Sequence, residues 1–229
     1  MSINQPKWKI YSIPGLGFDH RIFEKLSLAN ATVCHCNWIE PFANESIVEY
    51  AKRFSQEMNE GNHVILMGQS FGGILAQEIV KLKSINHLIL LSTVQKANEM
   101  PLGFKNLARF KLYKLITRQS ILATFPFWQK AYGYHSAEDQ SLFKSMAAKN
   151  SNNYFHWAIN QLGSWKGAVK TENQNILRIH GDNDKTFPIK QMCKVDYLIE
   201  KGGHFAVYQK PDEVSGLINK QLNLWQSNG

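Results

Sequence analysis

Short apolar runs alternate with stretches of helical periodicity along this 229-residue chain. The runs Trp8 to Ile13, Thr32 to Trp38, Val64 to Met67, His87 to Leu91, Ile176 to Ile179 and Val195 to Ile199 are predicted strands. Several lack the in–out alternation of a half-exposed strand, which predicts a sheet covered on both faces. Between them, Ile47, Tyr50, Ala51, Phe54 and Met58 fall on one helical face, with Ser46 and Glu49 as a capping box and Gly61 as a stop. Phe71, Ile74, Leu75, Ile79 and Leu82 form a second stripe. Pro211 opens a third, carrying Val214, Leu217, Ile218, Leu222 and Trp225. The alternation predicts an α/β class with a mostly parallel sheet of about six strands and helices on both faces.

The pattern changes between Gln95 and Lys170. That stretch holds 13 of the 27 aromatic residues. Phe104, Leu107, Ala108, Leu112, Leu115 and Ile116 share one helical face, with Lys105, Arg109, Lys114 and Arg118 elsewhere on the wheel. This reads as a basic amphipathic helix that either docks on the main core or meets a membrane surface or partner. Phe125, Phe127, Trp128, Tyr132, Tyr134, Trp157 and Trp165 suit an apolar pocket and equally suit internal packing.

Composition narrows the class. At 44% hydrophobic and 19% charged residues the chain can bury a core, which excludes disordered, collagen-like and coiled-coil readings. No apolar run approaches the ~20 residues of a membrane span. The start, Met1 to Lys9, does not read as a signal peptide. Cys34, Cys36 and Cys193 cannot all pair, so reduced thiols and a cytoplasmic location are expected. Cys34-His35-Cys36 has metal-ligand residue types without a second pair, so structural cysteines are expected there. The net charge of +8 is concentrated: Gln95 to Lys170 contains eleven Lys/Arg, Lys130 and Lys170 among them, against three acids. Such a surface attracts anionic partners or is simply solvated. No nucleotide-binding or nucleic-acid-binding motif appears, so neither partner is expected.

The sharpest local signal is Gly68-Gln69-Ser70-Phe71-Gly72, directly after a predicted strand and directly before a predicted helix. A tight strand–turn–helix corner exposes the serine, and the flanking glycines relieve crowding. A serine hydroxyl needs a base within reach, and the base needs a carboxylate to fix its tautomer. One strand ends in His180-Gly181-Asp182-Asn183-Asp184, which offers two candidate acids, Asp182 and Asp184. The next ends in Gly202-Gly203-His204-Phe205. Both lie beyond the carboxyl ends of strands, the edge where open α/β sheets bind ligands. Asp19 suits a helix N-cap, and His20 either the site entrance or the surface.

The order Ser, Asp, His, each after a strand, resembles the α/β-hydrolase superfamily over nearly the whole chain. The resemblance implies an α/β-hydrolase fold, with a core of residues 1–94 and 171–229 and a helical cap of residues 95–170. It implies Ser70 as nucleophile and His204 as base. Asp184 matches the acid of the H-G-x-x-D-x-x-x-P pattern that runs from His180 to Pro188. The resemblance also places oxyanion donors at the backbone N–H groups of Leu16 and Phe71, with Pro14 standing where the family usually has histidine. The implied activity is a serine hydrolase cleaving a carboxylic ester or thioester through an acyl-enzyme, without metal or organic cofactor. The substrate would be a small or carrier-linked acyl compound, anionic if the basic cap steers it. Non-ester chemistry on the same scaffold (carbon–carbon hydrolysis, lyase or perhydrolase reactions) and a non-catalytic binding protein are the alternatives.

Overall fold

The computed structural model describes residues 8–129, 133–168 and 174–227. Most of the Met1 to Lys9 start, Lys130, Tyr132 and Lys170 therefore lie outside the described residues. Among the described residues, six strands form one sheet: β1 (Trp8–Ile13), β2 (Ala31–His35), β3 (Val64–Gln69), β4 (His87–Leu91), β5 (Asn175–Gly181) and β6 (Tyr197–Ile199). Their order is β2-β1-β3-β4-β5-β6, and every pairing is parallel. All residues of β3 and β4 are buried, so the centre of the sheet is covered on both faces, as the unbroken apolar runs require.

Helix α1 (Ile47–Phe54) starts at the Ser46/Glu49 capping box, and α2 (Phe71–Ile79) packs on β3. The carboxyl-terminal helix α8 (Pro211–Ser227) begins at its proline and places Trp225 against the rings of Trp8 and His87. A short α7 (Ala206–Gln209) precedes it.

Some boundaries differ from expectation. The α1 helix ends at Phe54, well before Gly61, because the chain is drawn back toward β1. There Asn59 N–H donates to the Tyr11 hydroxyl (2.9 Å), and that hydroxyl donates to Asn59 Oδ1 (2.8 Å). Likewise α2 stops at Ile79, leaving Leu82 43% exposed. Strand β2 stops at His35 and excludes Trp38, since its partner β1 ends at Ile13 before Pro14. Strand β6 begins at Tyr197, where pairing with β5 begins. At the opposite edge, by β2, Cys34 and Cys36 sit half-buried, and burial pushes the Cys36 thiol up to about 12.

Among the described residues, four α-helices lie between β4 and β5: α3 (Leu102–Arg109), α4 (Arg118–Trp128), α5 (Ala137–Ala147) and α6 (Asn152–Ser164). The single amphipathic helix expected over residues 104–116 is broken. Lys111 adopts φ +56°, which interrupts the helical ladder, and a short 3-10 turn (Leu112–Leu115) follows. Phe104 and Leu107 turn inward, whereas Leu112 and Leu115 are 44% and 77% exposed. Helices α3 and α6 approach closely at Gly163, where a Cβ would stand 2.1 Å from the Phe104 carbonyl oxygen. The two ends of this inserted block pair with each other, Lys96 opposite Gly167 in an antiparallel bridge.

The block is fastened to the rest of the chain by polar contacts. Asp19 accepts from Arg21 and from Lys149 of the block, and Trp157 Nε1 donates to the Glu45 carbonyl (2.7 Å). Trp165 Nε1 donates to Glu78 (2.7 Å). Arg178 on β5 grips Glu99 at the start of the block, with both side chains buried. Among the described residues no helix is long and apolar enough to cross a membrane.

Candidate active site

Ser70 occupies the corner between β3 and α2 with φ +53° and ψ −122°. A non-glycine residue there carries about 1–3 kcal/mol of backbone strain, which the surroundings must hold in place. They do so tightly. A Cβ on Gly72 would fall 2.2 Å from the Ile13 carbonyl oxygen, and one on Gly68 would fall 2.5 Å from Gly73 N. Ser70 N–H donates to the Leu91 carbonyl (3.0 Å), and Thr93 Oγ1 donates to the Ser70 carbonyl (2.6 Å).

The loops after β5 and β6 bring the other two residues to it. Asn183 N–H donates to the Gly202 carbonyl (2.9 Å), tying one loop to the other. His204 Nε2 stands 2.9 Å from Ser70 Oγ, and His204 Nδ1 stands 2.8 Å from Asp184 Oδ2. The second oxygen of Asp184 accepts from the N–H groups of Thr186 (2.8 Å) and Phe187 (2.9 Å). Burial opposes ionisation of Asp184. The charge and hydrogen bond of His204, the nearby His180 and the Phe187 N–H outweigh it and hold the carboxyl below the usual range. Asp182 is exposed and takes no part, so of the two candidate acids it is Asp184 that meets His204.

Leu16, Gly17 and Ser70 line one cavity, and a Cβ on Gly15 would lie 3.1 Å from the Ser70 Cβ. Among the described residues the N–H groups of Leu16 and Phe71 have no backbone partner. Asp19 caps the 3-10 turn His20–Phe23, as expected. His20 does not reach the cavity. It pairs with Glu24 (3.2 Å) and lies against the His35 ring.

The cavity measures about 480 Å³, with Ser70, His204 and Thr186 among its polar lining residues. Its walls come from the inserted block (Phe104, Leu107, Ile121, Ile159 and Leu162 among them) and from Phe18 and Phe187 of the core. Among the described residues, its lining includes no lysine, arginine, aspartate or glutamate. Burial raises the Tyr134 phenol, which therefore stays protonated in the wall.

Of the aromatics expected to form a pocket, Trp128 and Tyr134 line it. Phe125 stacks on Phe143 behind it (4.6 Å), Trp157 packs on Tyr50 (4.2 Å), and Phe127 is 89% exposed. Three supporting residues escaped the sequence reading. Gln69 Nε2 donates to the His204 carbonyl (3.1 Å), Thr93 holds the corner, and His180 Nε2–H donates to the Phe187 carbonyl (2.8 Å). Burial lowers the His180 imidazole, against the pull of the neighbouring Asp184 carboxylate. Each lies at or just past the carboxyl end of a strand, and that position was the available signal. No group of three or more His, Cys, Asp or Glu placed to hold a metal occurs among the described residues.

A family profile described as "Alpha/beta hydrolase family" matches residues 10–217. None of the curated proteins compared matches the sequence. Among solved structures, the esterase EaEST from Exiguobacterium antarcticum is 14% identical, with a TM-score of 0.75 over 96% of this chain and 93% of its own. ClbQ from the colibactin NRPS/PKS pathway is 16% identical, with a TM-score of 0.66 over 97% and 100%. Est816, described as an N-acyl homoserine lactone degrading enzyme, is 14% identical, with a TM-score of 0.64 over 93% and 92%.

Proposed function

This chain belongs to the alpha/beta hydrolase family, and from that membership we propose that it is a serine hydrolase cleaving a carboxylic ester or thioester. One observation carries the reading: the unbroken hydrogen-bond path from Ser70 Oγ through His204 to Asp184, on the wall of an apolar cavity.

His204 takes the Ser70 proton as Oγ attacks the carbonyl carbon, and Asp184 steadies the imidazolium. The Leu16 and Phe71 N–H groups meet the oxyanion, a service worth about 10²–10³ in rate per donor. Collapse expels the alcohol or thiol, which leaves with the proton from His204. Water, deprotonated by the same imidazole, then releases the acid and restores Ser70. The inserted block acts as a lid that excludes water and holds the acyl group. A wall without charged side chains among the described residues suits a neutral, apolar acyl chain, so the described cations of the block serve outside the cavity, steering an anionic or carrier-linked substrate.

A fluorophosphonate probe tests the mechanism. The wild type is expected to be labelled at Ser70 and Ser70→Ala to stay unlabelled. Equal labelling of both, or none of the wild type, refutes it. A series of p-nitrophenyl esters of graded length then reads turnover and pocket depth together.

A further inference from the structure

The peptide between Gly15 and Leu16 is a planar unit, with the Gly15 carbonyl on one side and the Leu16 N–H on the other. Whatever fixes the carbonyl also aims the N–H. Trp38 Nε1 stands 3.2 Å from the Gly15 carbonyl oxygen, and an indole nitrogen can only donate. The Phe18 N–H donates to the same oxygen at 3.0 Å, closing a turn.

The Trp38 ring also stacks on Phe71, with centroids 5.4 Å apart and planes 25° apart. One side chain thus touches both the peptide that carries the Leu16 N–H, through its Gly15 carbonyl, and the ring of Phe71. Trp38 is itself held. It packs against Phe54 and Tyr154, and the next residue, Ile39, is held at both its N–H and its carbonyl by Tyr50. There Ile39 N–H donates to the Tyr50 hydroxyl (3.1 Å), and that hydroxyl donates to the Ile39 carbonyl (2.8 Å). Trp38 is not among the residues lining the cavity.

We propose that Trp38 is a positioning residue for oxyanion stabilisation: its indole N–H fixes the Gly15–Leu16 peptide while its ring seats Phe71. Donation into the Gly15 carbonyl also polarises that peptide, making the Leu16 N–H a better donor. The effect reaches the reaction only as negative charge grows on the substrate oxygen, so it acts on kcat and leaves ground-state binding alone. The proposal rests on the serine-hydrolase reading above.

Trp38→Phe keeps a stacking ring and deletes the N–H. With a p-nitrophenyl ester, kcat is expected to fall about tenfold with KM unchanged within about twofold, less than the loss of a whole donor. Affinity for a trifluoromethyl ketone, whose adduct carries the oxyanion, is expected to fall by the same factor as kcat/KM. Affinity for the carboxylic acid product is expected to hold. A merely structural role would lower the amount of folded enzyme and leave the ratio of ketone to acid affinity unchanged. If Trp38→Phe does not fold, incorporation of benzothienylalanine at position 38 replaces the N–H by sulfur at nearly constant shape and gives the same readouts. A fall in kcat of less than about threefold, a loss carried by KM, or unchanged ketone affinity overturns the proposal. Full activity of Ser70→Ala would instead overturn the serine-hydrolase reading, so the two failures are distinct.

Discussion

Replacing Asp184 by asparagine removes a charge while keeping shape, and the surroundings dictate how the new amide must lie. One side of the group faces two donors, the N–H groups of Thr186 and Phe187, at 2.8 and 2.9 Å. The amide oxygen must occupy that side, because turning the NH₂ there would set donors against donors in a buried site. The NH₂ then faces His204 Nδ1, which can only accept from it. The proton is thereby forced onto Nε2, the atom that receives the Ser70 proton in the proposed mechanism. The imidazole is held in the wrong tautomer, and kcat is expected to fall by about 10⁴, the magnitude typical of such a swap. Asp182→Asn, in an exposed side chain, should change kcat less than twofold. Steady-state hydrolysis of a p-nitrophenyl ester at pH 7–8, with labelling rate by a fluorophosphonate as a second readout, measures both. If Asp184→Asn keeps a tenth of the activity, or Asp182→Asn loses as much as it does, the assignment of the acid is wrong.

Other outcomes follow from the same contacts. Burial opposes ionisation of Asp19, but hydrogen bonds from Arg21 and Lys149 lower its carboxyl to about 2. Its contribution is therefore full above the unfolded value of about 4 and fades as pH falls through 2. Asp19→Asn should cost about 2 kcal/mol at pH 7 in urea unfolding and almost nothing near pH 2; a deficit independent of pH would contradict this. Glu99→Ala strands the buried Arg178 guanidinium and the N–H of Cys193, at a cost of about 3–5 kcal/mol, so the melting temperature should drop on the order of 10 °C; a drop of a degree or two would refute the buried pairing. Leu162→Ala enlarges the cavity and should favour longer over shorter p-nitrophenyl esters by about tenfold in kcat/KM, whereas an unchanged profile would remove Leu162 from the acyl site. Turnover of an acyl group on an acidic carrier should weaken with added salt while that of a neutral short ester stays level, and equal response would discard steering by the basic block.

The fold was legible where one strand's own residues decide its burial. Strands β1 and β4 start and stop where their apolar runs do. The outer strands β2 and β6 came out shorter, because a strand's end is set by the length of its partner, which the local run does not contain. The break at Lys111 was hidden for a related reason. Residues 104–116 keep helical periodicity, and only contact with α6 and the cavity decides which of their apolar side chains turn inward. The meeting of Ser70, His204 and Asp184 was readable because each sits in a short motif after a strand. Trp38, Gln69 and Thr93 were not, because their work is done through carbonyl oxygens of other loops, and no spacing in the chain announces which carbonyl a side chain will meet.

The bridge between Lys96 and Gly167 means that the inserted helices leave and rejoin the sheet at a single doorway. Whatever is exchanged between those two positions arrives at a scaffold in which Ser70, His204 and Asp184 already meet on other stretches of chain. Descent could therefore rewrite what this molecule accepts by trading one contiguous cassette, while the machinery beneath passes on untouched.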